Sequence, residues 1–168
     1  MKQEITVRQA APTEAAKVSS VLQEAARWLS GRGEPLWCDD ELCEQQIAAD
    51  VAAGLFFVAE YEGEVAGVVK FQLEDPLFWP DMPTGEACFV HRLAVRRKFA
   101  SGGISTALLN WAAERTKNAG RNYLRLDTDA ARPKLRAVYE RCGFTHHSDR
   151  QVGPYFVARY ELDVTFKA

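Results

Sequence analysis

Hydrophobic and polar positions change period several times along the chain, and each change marks a boundary between strand-sized and helix-sized pieces. Glu4 to Val7 alternates as a short strand, and Pro12-Thr13-Glu14 then opens a helix. Thr13 is placed to cap the free N–H groups there, and Glu14 to complement the positive end of the dipole. Val18, Val21, Leu22, Ala25 and Leu29 recur at helical spacing until Gly31 and Gly33 stop them. Asp39 and Asp40 start a second, weaker helix with Cys43, Ile47 and Val51 on one face and Gly54 at its end. Leu55–Tyr61 and Val65–Leu73 read as strands joined by a tight turn at Glu62-Gly63.

Pro76, Pro80 and Pro83 exclude regular structure between Glu74 and Gly85. Ala87–Val95 is the next strand. Ile104, Ala107, Leu108, Trp111 and Ala112 then mark an amphipathic helix that ends at Gly120. Tyr123–Leu126 is a short strand, and Pro133 suits the first turn of a helix, where its missing N–H would be unpaired anyway. Leu135, Val138, Tyr139 and Cys142 give that helix its face, Gly143 terminates it, and strands near Phe144–Arg150 and Tyr155–Val164 close the chain. The order βααβββαβαββ predicts an α/β (α+β) fold, a mixed sheet with helices on both faces. No repeat, low-complexity tract or linker interrupts it, so residues 1–168 read as one domain.

Composition narrows the function classes. With 21 Lys+Arg against 23 Asp+Glu, the net charge of -2 lacks the basic footprint of a nucleic-acid binder. No apolar run approaches the ~20 residues of a membrane span, and the start MKQEITVRQA has no apolar leader core, so neither membrane nor secretion is expected. Cys38, Cys43, Cys88 and Cys142 show neither CxxC pairing nor nearby histidines. No metal and no disulfide framework are expected, and free thiols point to the cytoplasm.

The most informative segment runs from Leu93 to Thr106. A strand ends at Val95, a loop of small residues follows, and a helix begins near Gly103. Small residues let backbone approach a ligand, and the first N–H groups of a helix lack partners and carry its positive pole. Arg96, Arg97 and Lys98 stand beside this anion site. A plain tight turn and a solvated basic loop remain open on the same residues. Neither GxGxxG nor GxxxxGK[ST] is present, which argues against Rossmann dinucleotide and P-loop nucleotide sites.

This segment resembles the phosphate loop of the GNAT (Gcn5-related) N-acetyltransferases, Gln/Arg-x-x-Gly-x-Gly/Ala after a strand ending Leu-Ala-Val. The matching run is Ala100-Ser101-Gly102-Gly103-Ile104-Ser105, with Gly103 as the central glycine and Ala100 and Ser105 as departures. A second match is Leu126-Asp127, then Arg132-Pro133-Lys134-Leu135, then Val138-Tyr139-Glu140-Arg141-Cys142-Gly143-Phe144. Arg132 stands where the family has an Asn. The resemblance spans Ile5 to about Val164 and implies a mostly antiparallel central sheet and acetyl-CoA as acyl donor. Ala100, Ser101, Gly102, Gly103, Ile104, Ser105 and Thr106 would hold the pyrophosphate, with Arg132 reaching a CoA phosphate or carbonyl. Leu93, Ala94 and Val95 would offer backbone to the pantetheine arm.

Acetyl transfer needs a neutral amine, a stabilised oxyanion and a proton for the departing thiolate. Tyr139 resembles the family tyrosine whose hydroxyl faces the CoA sulfur, and a phenol near pKa 10 stays protonated at neutral pH. Its plain alternative is a core aromatic on the helix stripe. Asp127 and His91 are the two base candidates. Some members that acetylate protein N-termini carry a carboxylate at the place of Asp127, which could equally bond loop N–H groups or Arg125. His91 shares a face with Leu93 and Val95 by strand parity unless a bulge intervenes, and could equally be a structural histidine. Phe89 occupies the site of the glutamate used by histone-type members. His146 and His147 are expected in solvent.

The acceptor pocket is expected from the connection of the first two helices, the Glu74–Gly85 loop and the final hairpin. Trp28, Trp37, Phe78, Trp79 and Tyr155 are its candidate aromatics, and Asp39, Asp40, Glu41, Glu44 and Asp50 could attract a cationic amine. The expected activity is acetyl transfer to the amine of a small molecule or peptide N-terminus by direct attack. A non-catalytic CoA-binding sensor on the same fold is the alternative, and the final hairpin could pair in a homodimer.

Overall fold

The computed structural model describes residues 4–33, 37 and 42–165. The elements are β1 (Thr6–Gln9), α1 (Ala15–Gly31), α2 (Glu44–Ala52), β2 (Phe56–Tyr61), β3 (Glu64–Gln72) and β4 (Ala87–Val95), followed by α3 (Ile104–Asn118), β5 (Tyr123–Asp129), α4 (Pro133–Arg141), β6 (Thr145–Val152) and β7 (Tyr155–Asp163). This is the predicted order. The strands form a seven-stranded mixed sheet in the order β1-β2-β3-β4-β5-β7-β6. β4 and β5 run parallel, whereas β1–β2, β2–β3, β5–β7 and β6–β7 are antiparallel. No described helix is long and apolar enough to cross a membrane.

By its contacts the chain divides into two compact units, residues 1–70 with 92–108 and residues 71–91 with 109–168. In the first unit the stripe of α1 works as its spacing requires. Val18, Val21 and Leu22 are fully buried with Ile47 and Val51 of α2 and Phe56, Val58, Val65 and Val68 of the strands. Each such side chain contributes ~1.5–3 kcal/mol of burial. Thr13 does not cap α1; it lies in a single 3-10 turn, Pro12–Glu14, that precedes the helix. The buried Glu14 carboxylate instead accepts the Ala11 N–H at 2.8 Å and takes both terminal nitrogens of Arg8 at 2.6 and 2.8 Å. That pairing holds its carboxyl near pKa 2, below the usual carboxylate range: the Arg8 hydrogen bond is the largest cause and the Ala11 amide the next, against the opposing push of burial. The start of α2 proposed at Asp39 and Asp40 lies outside the described residues, as does Cys38. Within them α2 begins at Glu44, with Cys43 exposed.

The β2–β3 turn has Glu62 and Gly63 both at positive φ, 54° and 77°, the type I′ geometry that follows strand twist. Gly67 on β3 has a different task. A Cβ there would stand 2.7 Å from Ile104 Cγ2, 3.0 Å from the Ala94 carbonyl oxygen and 3.2 Å from Leu108 Cδ1. Only hydrogen at that position lets the first turns of α3 sit this close to the strand.

In the second unit Trp79, Ala87 and Phe89 form a core with Phe78, Met82 and Tyr123 against it. The Glu74–Gly85 segment has no regular structure, as its prolines predict, yet it is firmly tied. Buried Arg159 on β7 grips Asp81 at 2.7 and 3.0 Å and the Phe78 carbonyl at 3.1 Å. Arg121 holds the Leu73 carbonyl, Glu74 and the Ala87 carbonyl.

Candidate active site

The first unit carries the turn singled out in the sequence. A cavity of about 400 Å³ is lined by Val95, Phe99, Ala100, Ser101, Gly103, Ile104, Ser105 and Thr106. Ser101 and Gly103 both have left-handed backbone, φ 67° and 82°, and the intervening Gly102 N–H bonds the Phe99 carbonyl at 3.1 Å. The Ala107 N–H closes the first helical turn on the Gly103 carbonyl at 3.0 Å. The N–H groups ahead of it therefore have no intrahelical partner and stand at the positive pole of α3. Left-handed residues among right-handed ones also turn successive N–H groups inward, the geometry of anion-binding backbone nests. A Cβ on Gly103 would meet no atom within 4 Å, so the space beside it is open. This cradle fits a pyrophosphate.

The basic run is more engaged than its sequence suggests. Arg96 turns inward to the Val65 carbonyl, Ser20 and Glu24 at 3.1–3.4 Å. Arg97 stacks on Trp28 with its guanidinium carbon 3.6 Å from the ring centre, and its N–H donates to Glu24 at 2.8 Å. Lys98 pairs with Glu64 at 2.5 Å. The carboxylates offset much of the long-range field expected of three cations, leaving backbone N–H groups as the main anion ligands.

The second unit gathers Tyr139, Asp127 and His91. Tyr139 is buried on α4, its ring edge-on to Phe144 at 6.2 Å and tilted to Tyr160 at 6.5 Å. Burial pushes its phenol well above the ordinary value, and the nearby charges of Asp127 and then Cys142 push it the same way. It is protonated at any physiological pH. Asp127 lies between the buried Leu126 and Thr128 on β5, opposite Arg159 in register. Its Oδ1 is 3.6 Å from His91 Nδ1.

The other nitrogen of His91 meets a residue the sequence reading missed. His91 Nε2 is 2.8 Å from Asp75 Oδ2, and Phe78 tilts over the imidazole at 5.9 Å. Burial acts to raise the Asp75 carboxyl, but the hydrogen bond and charge of His91, with the Phe78 and Leu77 amides, outweigh it and hold the group below its ordinary pKa. Asp75, His91 and Asp127 bring potential metal-ligand atoms within 4.8 Å of one another. The histidine turns a different nitrogen to each carboxylate, and one ion takes only one of the two. The ring is thus hydrogen-bonded to Asp75 through Nε2, with the Asp127 carboxylate beside its other nitrogen but beyond hydrogen-bond distance.

The parity argument for His91 does not survive. Arg92 has φ 54°, a left-handed residue inside β4, so alternation counted back from Leu93 and Val95 stops there. Arg132 precedes α4 and pairs with Asp129, its Nε 3.4 Å from Oδ2 and its N–H on the Asp129 carbonyl at 3.1 Å. Trp79 is a core residue, 3% exposed between the guanidinium groups of Arg125 at 5.2 Å and Arg159 at 4.5 Å. Trp28 carries Arg97, Trp37 faces Arg92 at 5.4 Å, and Tyr155 is exposed. Asp39, Asp40 and Glu41 lie outside the described residues, and Asp50 is bonded to Lys70 at 3.0 Å. His146 and His147 are exposed, bonded to Asp149 and Ser148.

Comparison with known proteins gives a consistent picture. Residues 20–144 match the model of the acetyltransferase (GNAT) family. The chain is 30% identical over 139 residues to the uncharacterized N-acetyltransferase YesJ of Bacillus subtilis (strain 168), covering 78% of this chain and 76% of that protein. A GNAT-family acetyltransferase of Listeria monocytogenes superposes with a TM-score of 0.81 at 23% identity, covering 96% and 99% of the two chains. The acetyltransferase yncA of Salmonella typhimurium, solved with acetyl-CoA, superposes with a TM-score of 0.71 at 16% identity, covering 98% and 96%.

Proposed function

The chain belongs to the GNAT acetyltransferase family, and from that premise we propose that it transfers acetyl from acetyl-CoA to the primary amine of a small molecule or peptide N-terminus. The observation that carries this reading is the gathering, in one compact unit, of a buried protonated phenol with a carboxylate and an imidazole 3.6 Å apart. Those are the acid and base groups that aminolysis of a thioester requires. The cradle of Ser101–Thr106 supports acetyl-CoA as donor, as does its presence in the Salmonella relative.

In this reading the backbone N–H groups of the cradle hold the pyrophosphate, and Leu93, Ala94 and Val95 present backbone to the pantetheine arm. His91, flanked by Asp127, takes one proton of the incoming ammonium. The neutral amine attacks the thioester carbonyl directly, so a C–N bond forms while the C–S bond breaks. Tyr139 donates its proton to the departing thiolate and is reprotonated by the second proton that the amine nitrogen loses to solvent as the amide forms. The balance is one amide, one free thiol and one proton released. Acetyl-CoA supplies the activated acyl group; everything else falls to side chains of the chain itself. Release of free thiol from acetyl-CoA across a panel of primary amines tests the assignment. Amine-dependent turnover supports it, whereas thermal stabilisation by CoA with no turnover of any amine would make the protein a binding module.

A further inference from the structure

We propose that Asp75 is a positioning residue that fixes the tautomer and orientation of His91, so that Nδ1 is the face offered to the acceptor's ammonium. The tautomer follows from geometry alone; its use in catalysis rests on the acetyl-transfer reading above.

A carboxylate only accepts hydrogen bonds, so at 2.8 Å the proton between Asp75 Oδ2 and His91 must belong to Nε2. The ring's basic lone pair is then on Nδ1, which looks toward Asp127 Oδ1 at 3.6 Å. Asp127 Oδ1, itself buried, stands beside that lone pair as a second acceptor, and a primary ammonium reaching Nδ1 carries three N–H groups. Taking one of its protons turns His91 into an imidazolium flanked by two carboxylates, which stabilise the charge it gains.

Asp75 itself is held from every side. Its side chain is 6% exposed. Its Oδ1 accepts the Phe78 N–H at 3.1 Å, its carbonyl accepts the Trp79 N–H at 3.0 Å, and Pro76 restricts its backbone. One oxygen thus fastens the loop while the other sets the imidazole, with the Phe78 ring packed on it. The charged and titratable groups around His91 are Asp75 from the loop, Asp127 from β5 and, acting through Asp127, Tyr139 from α4. Arg159, opposite Asp127 in register, is engaged by Asp81.

Asp75→Asn separates positioning from loop anchoring. It keeps an oxygen for the Phe78 amide but turns an N–H donor toward Nε2, which forces the proton to Nδ1. The chain has three histidines, so their imidazole nitrogens are resolvable by 15N NMR. The wild type should show His91 protonated on Nε2, and Asp75→Asn should move the proton to Nδ1. In kinetics kcat should fall about 100-fold, the acid limb of its pH profile should move, and KM for acetyl-CoA should stay within about twofold. Asp75→Glu, which restores the acceptor, should recover part of kcat. Wild-type His91 protonated on Nδ1 overturns the proposal without any variant, and so does a shifted tautomer with unchanged kcat. A wild type that acetylates no amine overturns the acetyl-transfer reading instead, and the tautomer measurement still decides the role of Asp75.

Discussion

Tyr139 illustrates how one environment serves both packing and chemistry. Burial and the Asp127 charge destabilise the phenolate, so the hydroxyl keeps its proton at neutral pH and faces the site as a donor. Tyr139→Phe keeps the ring contacts with Phe144 and Tyr160 and removes only the donor. The variant should fold, bind acetyl-CoA with near wild-type affinity and lose roughly 10- to 1000-fold in kcat. Unchanged kcat, with chemistry shown to be rate-limiting, would leave Tyr139 a packing residue. Glu14 shows the same electrostatics used for stability. Its folded pKa of about 2 lies below the ordinary 4.5, so its contribution is complete above about pH 4.5 and is lost as pH falls toward 2. Arg8 is 40% exposed and partly screened, which limits the effect to about 1–2 kcal/mol. Acid unfolding of wild type should steepen across that window relative to Glu14→Gln; parallel curves would contradict the pairing. Asp127 and Tyr139 were singled out because each lies in a motif, and His91 because it lies on the strand leading into Leu93 and Val95. Asp75 was not, because its partner is 16 residues away and no local spacing announces a carboxylate that turns back onto a strand.

At the scale of elements, α3 and its leading turn depend on two glycines for different reasons. Gly103 supplies a left-handed residue, whereas Gly67 supplies absence of a side chain under Ile104 and Leu108. Gly67→Ala must push α3 away from β3 or distort the Ala94 carbonyl, costing about 1–3 kcal/mol. Because the displaced atoms belong to the first turns of α3, CoA affinity should fall together with the melting temperature. A destabilised variant that binds CoA as wild type does would separate the helix from the cradle. The eleven helices and strands among the described residues were legible from periodicity and breakers, since long amphipathic stripes such as Val18–Leu29 admit one reading. Ends were less so: β1 runs Thr6–Gln9 instead of Glu4–Val7, and β5 extends to Asp129. Pairing with β2 and β7 sets those limits, and a single strand's sequence does not carry its partner's register. The left-handed residue at Arg92 was equally hidden, because an arginine gives no local sign of such a backbone.

For the whole molecule, the two compact units hold different parts of the proposed chemistry. The cradle of Ser101–Thr106 belongs to the first, and Asp75, His91, Asp127 and Tyr139 belong to the second. Net charge is nearly balanced, and the loop cations are matched by Glu24 and Glu64, so the protein's field favours no broad anionic partner. In the proposed reaction acetyl passes straight from CoA to an amine, with no acyl group parked on the enzyme. Cys142, at the end of α4 just after Tyr139, is the thiol that an acyl-enzyme route would use. Rapid mixing with acetyl-CoA, following free thiol with and without a primary amine, decides between the two most directly. Continuous release that requires the amine is the predicted result. A burst of one thiol per enzyme in the absence of amine, or no release with any amine, would contradict it.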